Sequence, residues 1–284
     1  MGRRAWRVVK DNLFWALCGL LLACIVVPAA WIIIGLLRDA APVLRPQLLT
    51  QTTAHGGLQN AILGTIVLAF GVLVIAGPIG VGAGIYLAEF AHHGRVASGL
   101  RFFSEILAGV PSIVVGYTGY LLLVVTFHWG YSILAALLAL CAIVTPYIVK
   151  TTEVALRQVP TTLHEAATAL GLPISVALPR VLVPPALPAI ITGLVVALAI
   201  STGETAPLLF TAGFKDTNPT PQLTQNPIGY LTYVVFTNIQ LPSAQAHQLA
   251  NAAAAMTLLF LLGLTAIGRI LSYQSAKRTA RMNI

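Results

Sequence analysis

Ile106–Val149 reads ILAGVPSIVVGYTGYLLLVVTFHWGYSILAALLALCAIVTPYIV, 44 residues without a single Asp, Glu, Lys or Arg. A helix crossing a bilayer needs about 20 consecutive apolar residues, so this run is long enough for two crossings. Phe127-His128-Trp129-Gly130 lies near its middle and reads as an interfacial hairpin turn. Working outward, Asn12–Leu37, Pro46–Ala88, Val181–Gly203 and Thr217–Gly268 are free of the same four residue types. Pro46–Ala88 becomes apolar from about Ala61, and Thr217–Gly268 only from about Ala250, its first half being rich in Pro, Asn, Gln and Thr. The pattern predicts an all-α polytopic membrane protein with six transmembrane helices, at about 13–37, 61–88, 105–127, 131–149, 186–210 and 250–272.

Composition agrees. Of 284 residues 57% are apolar and only 8% charged, with a mean hydropathy of +0.87. A soluble domain carries roughly 25% charged residues, because its exterior must be solvated, so soluble enzymes, disordered tails and nucleic-acid binders are excluded. The net charge of +8 is explained by orientation rather than by a partner. With both termini inside, 13 of the 16 Lys and Arg fall in cytoplasmic segments, leaving Arg38, Arg45 and Lys215 outside. The reversed orientation violates the positive-inside rule. The first apolar stretch is too long for the 7–15-residue core of a signal peptide, and the chain stays apolar after Cys24, so a retained span is expected. Cys18, Cys24 and Cys141 all lie in apolar runs and read as small buried hydrophobes. Trp6, Trp15, Trp31 and Trp129 fall at or near span ends, as interfacial aromatics do.

Lys150–Pro185 is the longest cytoplasmic loop. Thr162-Leu163-His164-Glu165 fits a capping box. Leu163, Ala167 and Leu170 recur at i, i+4 and i+7, Gly171 ends the pattern, and Pro173 enforces the stop. The expectation is a short capped helix between two spans, suited to docking on another protein. His164-Glu165 is not half of a zinc-protease motif, because the second His would stand at Thr168. Gly77, Gly80, Gly82 and Gly84 lack a following Gly-Lys-Ser/Thr, so they read as a close-packing stripe rather than a phosphate loop. His55, His92, His93, His128 and His247 show no ligand spacing. Glu204, in Ser201-Thr202-Gly203-Glu204-Thr205-Ala206-Pro207, is an acid toward the outer part of the fifth span. Such a residue costs roughly 3 kcal/mol at mid-bilayer and usually faces a pathway or a partner. Ser201, Thr202 and Thr205 are candidates to line the same path, with back-bonding to the helix as the alternative use of their hydroxyls.

Glu165-Ala166-Ala167, Gly171 four residues on, and Val181-Leu182-Val183-Pro184 after nine more resemble the EAA signature of binding-protein-dependent ABC importer permeases. Gly109–Val114, Pro78–Leu87 and Gly203–Thr211 narrow the resemblance to the permeases of phosphate importers, over about residues 60 to 272. The resemblance implies a MetI-like permease core of six spans and a single transmembrane domain over 1–284, with a cytoplasmic coupling loop at about 150–185. It implies a prokaryotic plasma-membrane protein that pairs with a second permease subunit, a cytoplasmic ATP-binding subunit dimer and an extracytoplasmic phosphate-binding protein. The chain itself is then a transport subunit without catalytic residues, metal or cofactor, ATP being hydrolysed on the partner. Glu165, Ala166, Ala167 and Gly171 become the ATPase-coupling residues, and Glu204, Ser201, Thr202 and Thr205 the substrate-pathway residues. A permease for sulfate or molybdate is the alternative. The resemblance also leads one to expect an Arg one helical turn before Glu204, where this chain has Ile200, so any charge pairing Glu204 comes from elsewhere, such as the second permease.

Overall fold

A computed structural model describes residues 2–91 and 94–282; His92 and His93 lie outside the described residues. Among the described residues there is no β-strand. Helix α1 (Gly2–Ala40) packs against the last helix and otherwise faces outward. A short α2 (Pro46–Thr50) and a 3-10 turn, Thr53–His55, lead to α3 (Gln59–Ile85), which continues as a π-helical turn over Tyr86–Phe90. Then come α4 (Arg95–Gly109), α5 (Ser112–Gly119, prolonged by a π-helical stretch over Tyr120–Thr126) and α6 (Ile133–Arg157). Helices α7 (Thr161–Ala169) and α8 (Ile174–Ala177) form the long loop, and α8 winds through Leu178–Leu182 into α9 (Val183–Gly203). The chain closes with α10 (Ala206–Thr211), α11 (Leu231–Asn238) and α12 (Ala244–Met282).

The centre is α3, α6 and α9, with Leu68, Val72, Leu140, Val144, Ile148 and Ala197 in one buried cluster. Membrane helices gain little from expelling one another from lipid, so close van der Waals packing must hold them. Two glycines of the expected stripe allow it. A Cβ at Gly80 would lie 2.7 Å from the Ile148 side chain, and one at Gly84 2.7 Å from the Val149 carbonyl. Gly82 faces open space and Gly77 has only ordinary contacts, so the stripe narrows to Gly80 and Gly84, one helical turn apart.

Five helical stretches are long and apolar enough to cross a membrane: Lys10–Ala40, Gln59–Phe90, Ile133–Arg157, Ile174–Gly203 and Ala244–Lys277. The third expected span, 105–127, is not a straight helix. Arg95–Gly109 and Ser112–Thr126 meet at 101°. Pro111 is the cause. Its ring forces Val110 out of the helical region, to φ −75° and ψ 127°, and Pro111 becomes the N-cap of α5. The fifth expected span, 186–210, is likewise corrected: α9 ends at Gly203 and α10 starts at Ala206. Pro207 cannot donate to the Gly203 carbonyl, and its ring would clash with it in a continuous helix. The hairpin at Trp129-Gly130 forms as read, with His128 and Gly130 at φ 57° and 62°.

Candidate functional site

Glu204 therefore sits not within a span but at the break between α9 and α10, extended at φ −70° and ψ 130°. Its side chain is half-buried, and no ion pair or side-chain hydrogen bond engages its carboxylate among the described residues. Its backbone carbonyl accepts a hydrogen bond from Thr232 Oγ1 of α11 at 3.2 Å, which fixes the interrupted backbone. Ser201 and Thr202 are buried, and both hydroxyls donate to the Leu198 carbonyl, at 2.9 and 2.8 Å. Bound this way they offer only lone pairs to anything passing. Thr205 lines an open groove with Gly203, Thr232 and Thr257. Of the four expected pathway residues, Glu204 and Thr205 are thus open to a ligand.

The loop helix α7 forms, but not by the expected cap. Pro160, extended at ψ 135°, is the N-cap, and no side chain caps the helix. Thr162 lies inside the first turn, so the capping box with Glu165 is absent: the extended Pro160 starts the helix two residues earlier than that box requires. Leu163 packs against Leu156, Leu182 and their neighbours and Ala167 is buried, whereas Leu170, expected on the same face, is 76% exposed at the C-cap. Ala167 is buried in its own chain; Glu165, Ala166, Ala169 and Leu170 form the free face. Gly171 takes φ +64° with open space around it, so this is a C-terminal left-handed stop.

Two polar ties bind this loop end of the bundle, and local sequence reading misses most of both. His164 Nε2 lies 3.2 Å from Glu89 Oε2, joining α7 to the π-helical end of α3. Glu153 of α6, its side chain only 4% exposed, receives Arg101 Nη2 of α4 at 3.1 Å and Arg157 Nη2 at 2.8 Å. Arg101 Nη2 also donates to the carbonyls of Leu87 and Ala91. A carboxylate held by two guanidiniums can stay buried where a lone one could not. Only the Glu153–Arg157 spacing of i, i+4 was a signal in the sequence.

At the opposite end, residues 213–230 form an ordered loop. Asn60, fully buried, accepts from the Thr53 amide and donates to the Lys215 carbonyl, and Lys215 Nζ donates to Asn226 Oδ1 at 3.1 Å.

A family described as the binding-protein-dependent transport system inner membrane component matches residues 80–281. The chain belongs to this family. It is an integral membrane transport permease, and the loop with α7 and the break at Glu204 both lie in the matched region. The chain is 48% identical to "Phosphate transport system permease protein PstA 2" of Mycobacterium tuberculosis over 274 residues, covering 96% of this chain and 91% of that one. It is 34% identical to a "Probable phosphate transport system permease protein PstA" of Methanocaldococcus jannaschii, covering 91% and 92%. The fold is that of a MetI-like permease: a chain of the MetNI methionine ABC transporter, solved in inward-facing conformations, superposes with a TM-score of 0.63 at 17% identity, covering 82% of this chain and 99% of that one.

Proposed function

We propose that this chain is one permease subunit of an ATP-driven phosphate importer, forming half of the path for inorganic phosphate. The near end-to-end match at 48% identity to a phosphate transport system permease carries the reading. A second permease completes the path, an ATP-binding subunit dimer docks on α7 from the cytoplasm, and a phosphate-binding protein delivers substrate from outside. Both termini and the basic loops are then cytoplasmic. The chain hydrolyses nothing itself. The free face of α7, with exposed Leu170 beside Glu165, is a short rigid surface for the ATPase, and the Glu89–His164 tie carries its movement to α3.

Glu204 and Thr205, at the helix break, are the pathway residues on this side. The carboxylate either accepts a hydrogen bond from a protonated phosphate oxygen, which sulfate lacks near neutral pH, or pairs with a cation of the second permease and releases it during the cycle. The test is uptake of labelled phosphate, sulfate and molybdate by cells lacking their own phosphate permeases, with the four components supplied from the same source genome. Saturable phosphate uptake that sulfate does not compete is the expected result. Preferential uptake of sulfate or molybdate overturns the reading.

A further inference from the structure

Between α4 and α6 lies a cleft of about 380 Å³, within the range of small-molecule sites. Two facing stripes build it. Arg101, with Ser104 and Glu105 one turn further on, comes from α4, and Tyr147, Lys150 and Glu153 from α6. Ile143 and Ile200 close its deeper, apolar end. From Ile143 to Glu153 the cleft follows ten residues of helix, about 15 Å at 1.5 Å each. It thus leads from the basic end of the bundle toward the middle of the membrane.

We propose that the basic end of this cleft is an oxyanion subsite, with Arg101 Nη1 and Lys150 Nζ as its cationic donors and Ser104 and Tyr147 as neutral ones. The proposal rests on the phosphate-importer reading and adds where on this chain the anion is held. Three observations carry it. Arg101 is already immobilised: its Nε donates to Glu153, its Nη2 donates to two carbonyls and lies within ion-pair distance of Glu153, while among the described residues Nη1 has no partner. A guanidinium fixed through one side presents the other without further loss of side-chain freedom. Lys150 has no hydrogen bond or ion pair among the described residues and lies on the facing wall of the same cleft. The charge balance is also right. Glu153 is shared by Arg101 and by Arg157, which lies outside the lining, so that with Lys150 and the exposed Glu105 the group as a whole carries three cations against two anions. A divalent cation would meet the unpaired Lys150 ammonium and the open edge of the Arg101 guanidinium while Glu153 is already engaged, so the cleft selects the opposite sign.

Inorganic phosphate and an anionic lipid headgroup share this chemistry, and the experiment separates them. The complete importer carries Ser104→Cys in a Cys18→Ser, Cys24→Ser background, Cys141 being buried. It is placed in phosphatidylcholine nanodiscs and labelled with a methanethiosulfonate reagent. Inorganic phosphate is expected to slow labelling where chloride of equal ionic strength does not. Lys150→Gln should raise the phosphate needed for protection about tenfold, as expected for losing one charge-assisted hydrogen bond, and Lys150→Arg should restore it. Protection by added phosphatidylglycerol with no effect of inorganic phosphate assigns the cleft to lipid and overturns the proposal. Unprotected labelling in a complex that still imports phosphate also overturns it, while leaving the transport reading intact. A parent complex that imports no phosphate refutes the transport reading instead.

Discussion

Replacing Arg101 with Met removes the donor that joins three helical segments at once. The Glu153 side chain, 4% exposed, keeps only Arg157, which is itself 50% exposed, and the Leu87 and Ala91 carbonyls lose their shared guanidinium. Deleting one partner of a buried pair costs about 3–5 kcal/mol. The surviving Arg157 offsets part of that, leaving about 2–3 kcal/mol. At about 2–4 °C per kcal/mol for a large domain, the unfolding midpoint should fall by about 4–12 °C. Arg157→Met removes a half-exposed partner worth about 0–1 kcal/mol and should shift it by at most about 4 °C. Arg101→Met with Glu153→Met replaces the pair by apolar groups of similar length, a change that is often neutral, and should recover most of the loss. Tryptophan fluorescence during heating of the purified complex reads all three. Equal shifts for Arg101→Met and Arg157→Met, or a double variant as unstable as Arg101→Met alone, would refute the claim that Arg101 is what makes the buried Glu153 tolerable.

Glu89→Ala cuts the tie to His164 and should leave ATP hydrolysis in place while phosphate uptake per ATP falls several-fold; unchanged uptake per ATP means that the tie carries no movement. Gly171→Val forces a β-branched residue to φ +64°, at about 1–2 kcal/mol, with no neighbour for its side chain to strike; faster amide exchange in α7 and weaker cross-linking to the ATPase should follow, and Gly171→Asn should show neither. Glu204→Gln should lower phosphate uptake in a fully assembled complex, with weakened discrimination against sulfate only if the carboxylate touches phosphate; normal uptake removes both roles. Cysteines placed at Asp216 should be labelled from outside the cell and those at Arg157 should not; the reverse pattern overturns the topology.

The spans were legible because the bilayer enforces one rule on every helix: the backbone bonds internally, and charge stays near the ends. Charge-free runs such as Ile133–Val149 therefore translate almost directly into helices. The exceptions have local causes whose consequences depend on neighbours. Pro111 and Pro207 were visible, but whether a proline kinks a helix or breaks it depends on what can satisfy the freed groups. Pro78, Pro146 and Pro188 lie inside continuous helices. The Thr162 cap failed because Pro160 supplied an earlier start. Glu89–His164 and Arg101–Glu153 join residues 75 and 52 positions apart, and no periodicity reports a contact that only tertiary packing creates.

The two interruptions are not independent defects. Helix α5, which starts after Pro111, packs directly on α10, which starts after Glu204. A Cβ at Gly116 would lie 2.5 Å from the Pro207 Cα, and Tyr117 meets Phe210 edge-on with ring centroids 5.9 Å apart. Irregular backbone at membrane depth is tolerable only where protein or a water-lined cavity surrounds it, since lipid offers no hydrogen bonds. Each break shelters the other, and the Thr232 hydroxyl of α11 takes the Glu204 carbonyl that the lost helical turn leaves free. The absence of a side chain at Gly116 is what lets the proline-bearing turn approach, so the position of Glu204 is set from a helix 88 residues away in sequence. Interrupted helices placed this way are how transporters put backbone and charge beside a substrate without exposing either to lipid. That the fold has already met the cost of holding the chain open there is what supports our proposal that the acid at position 204 faces the path.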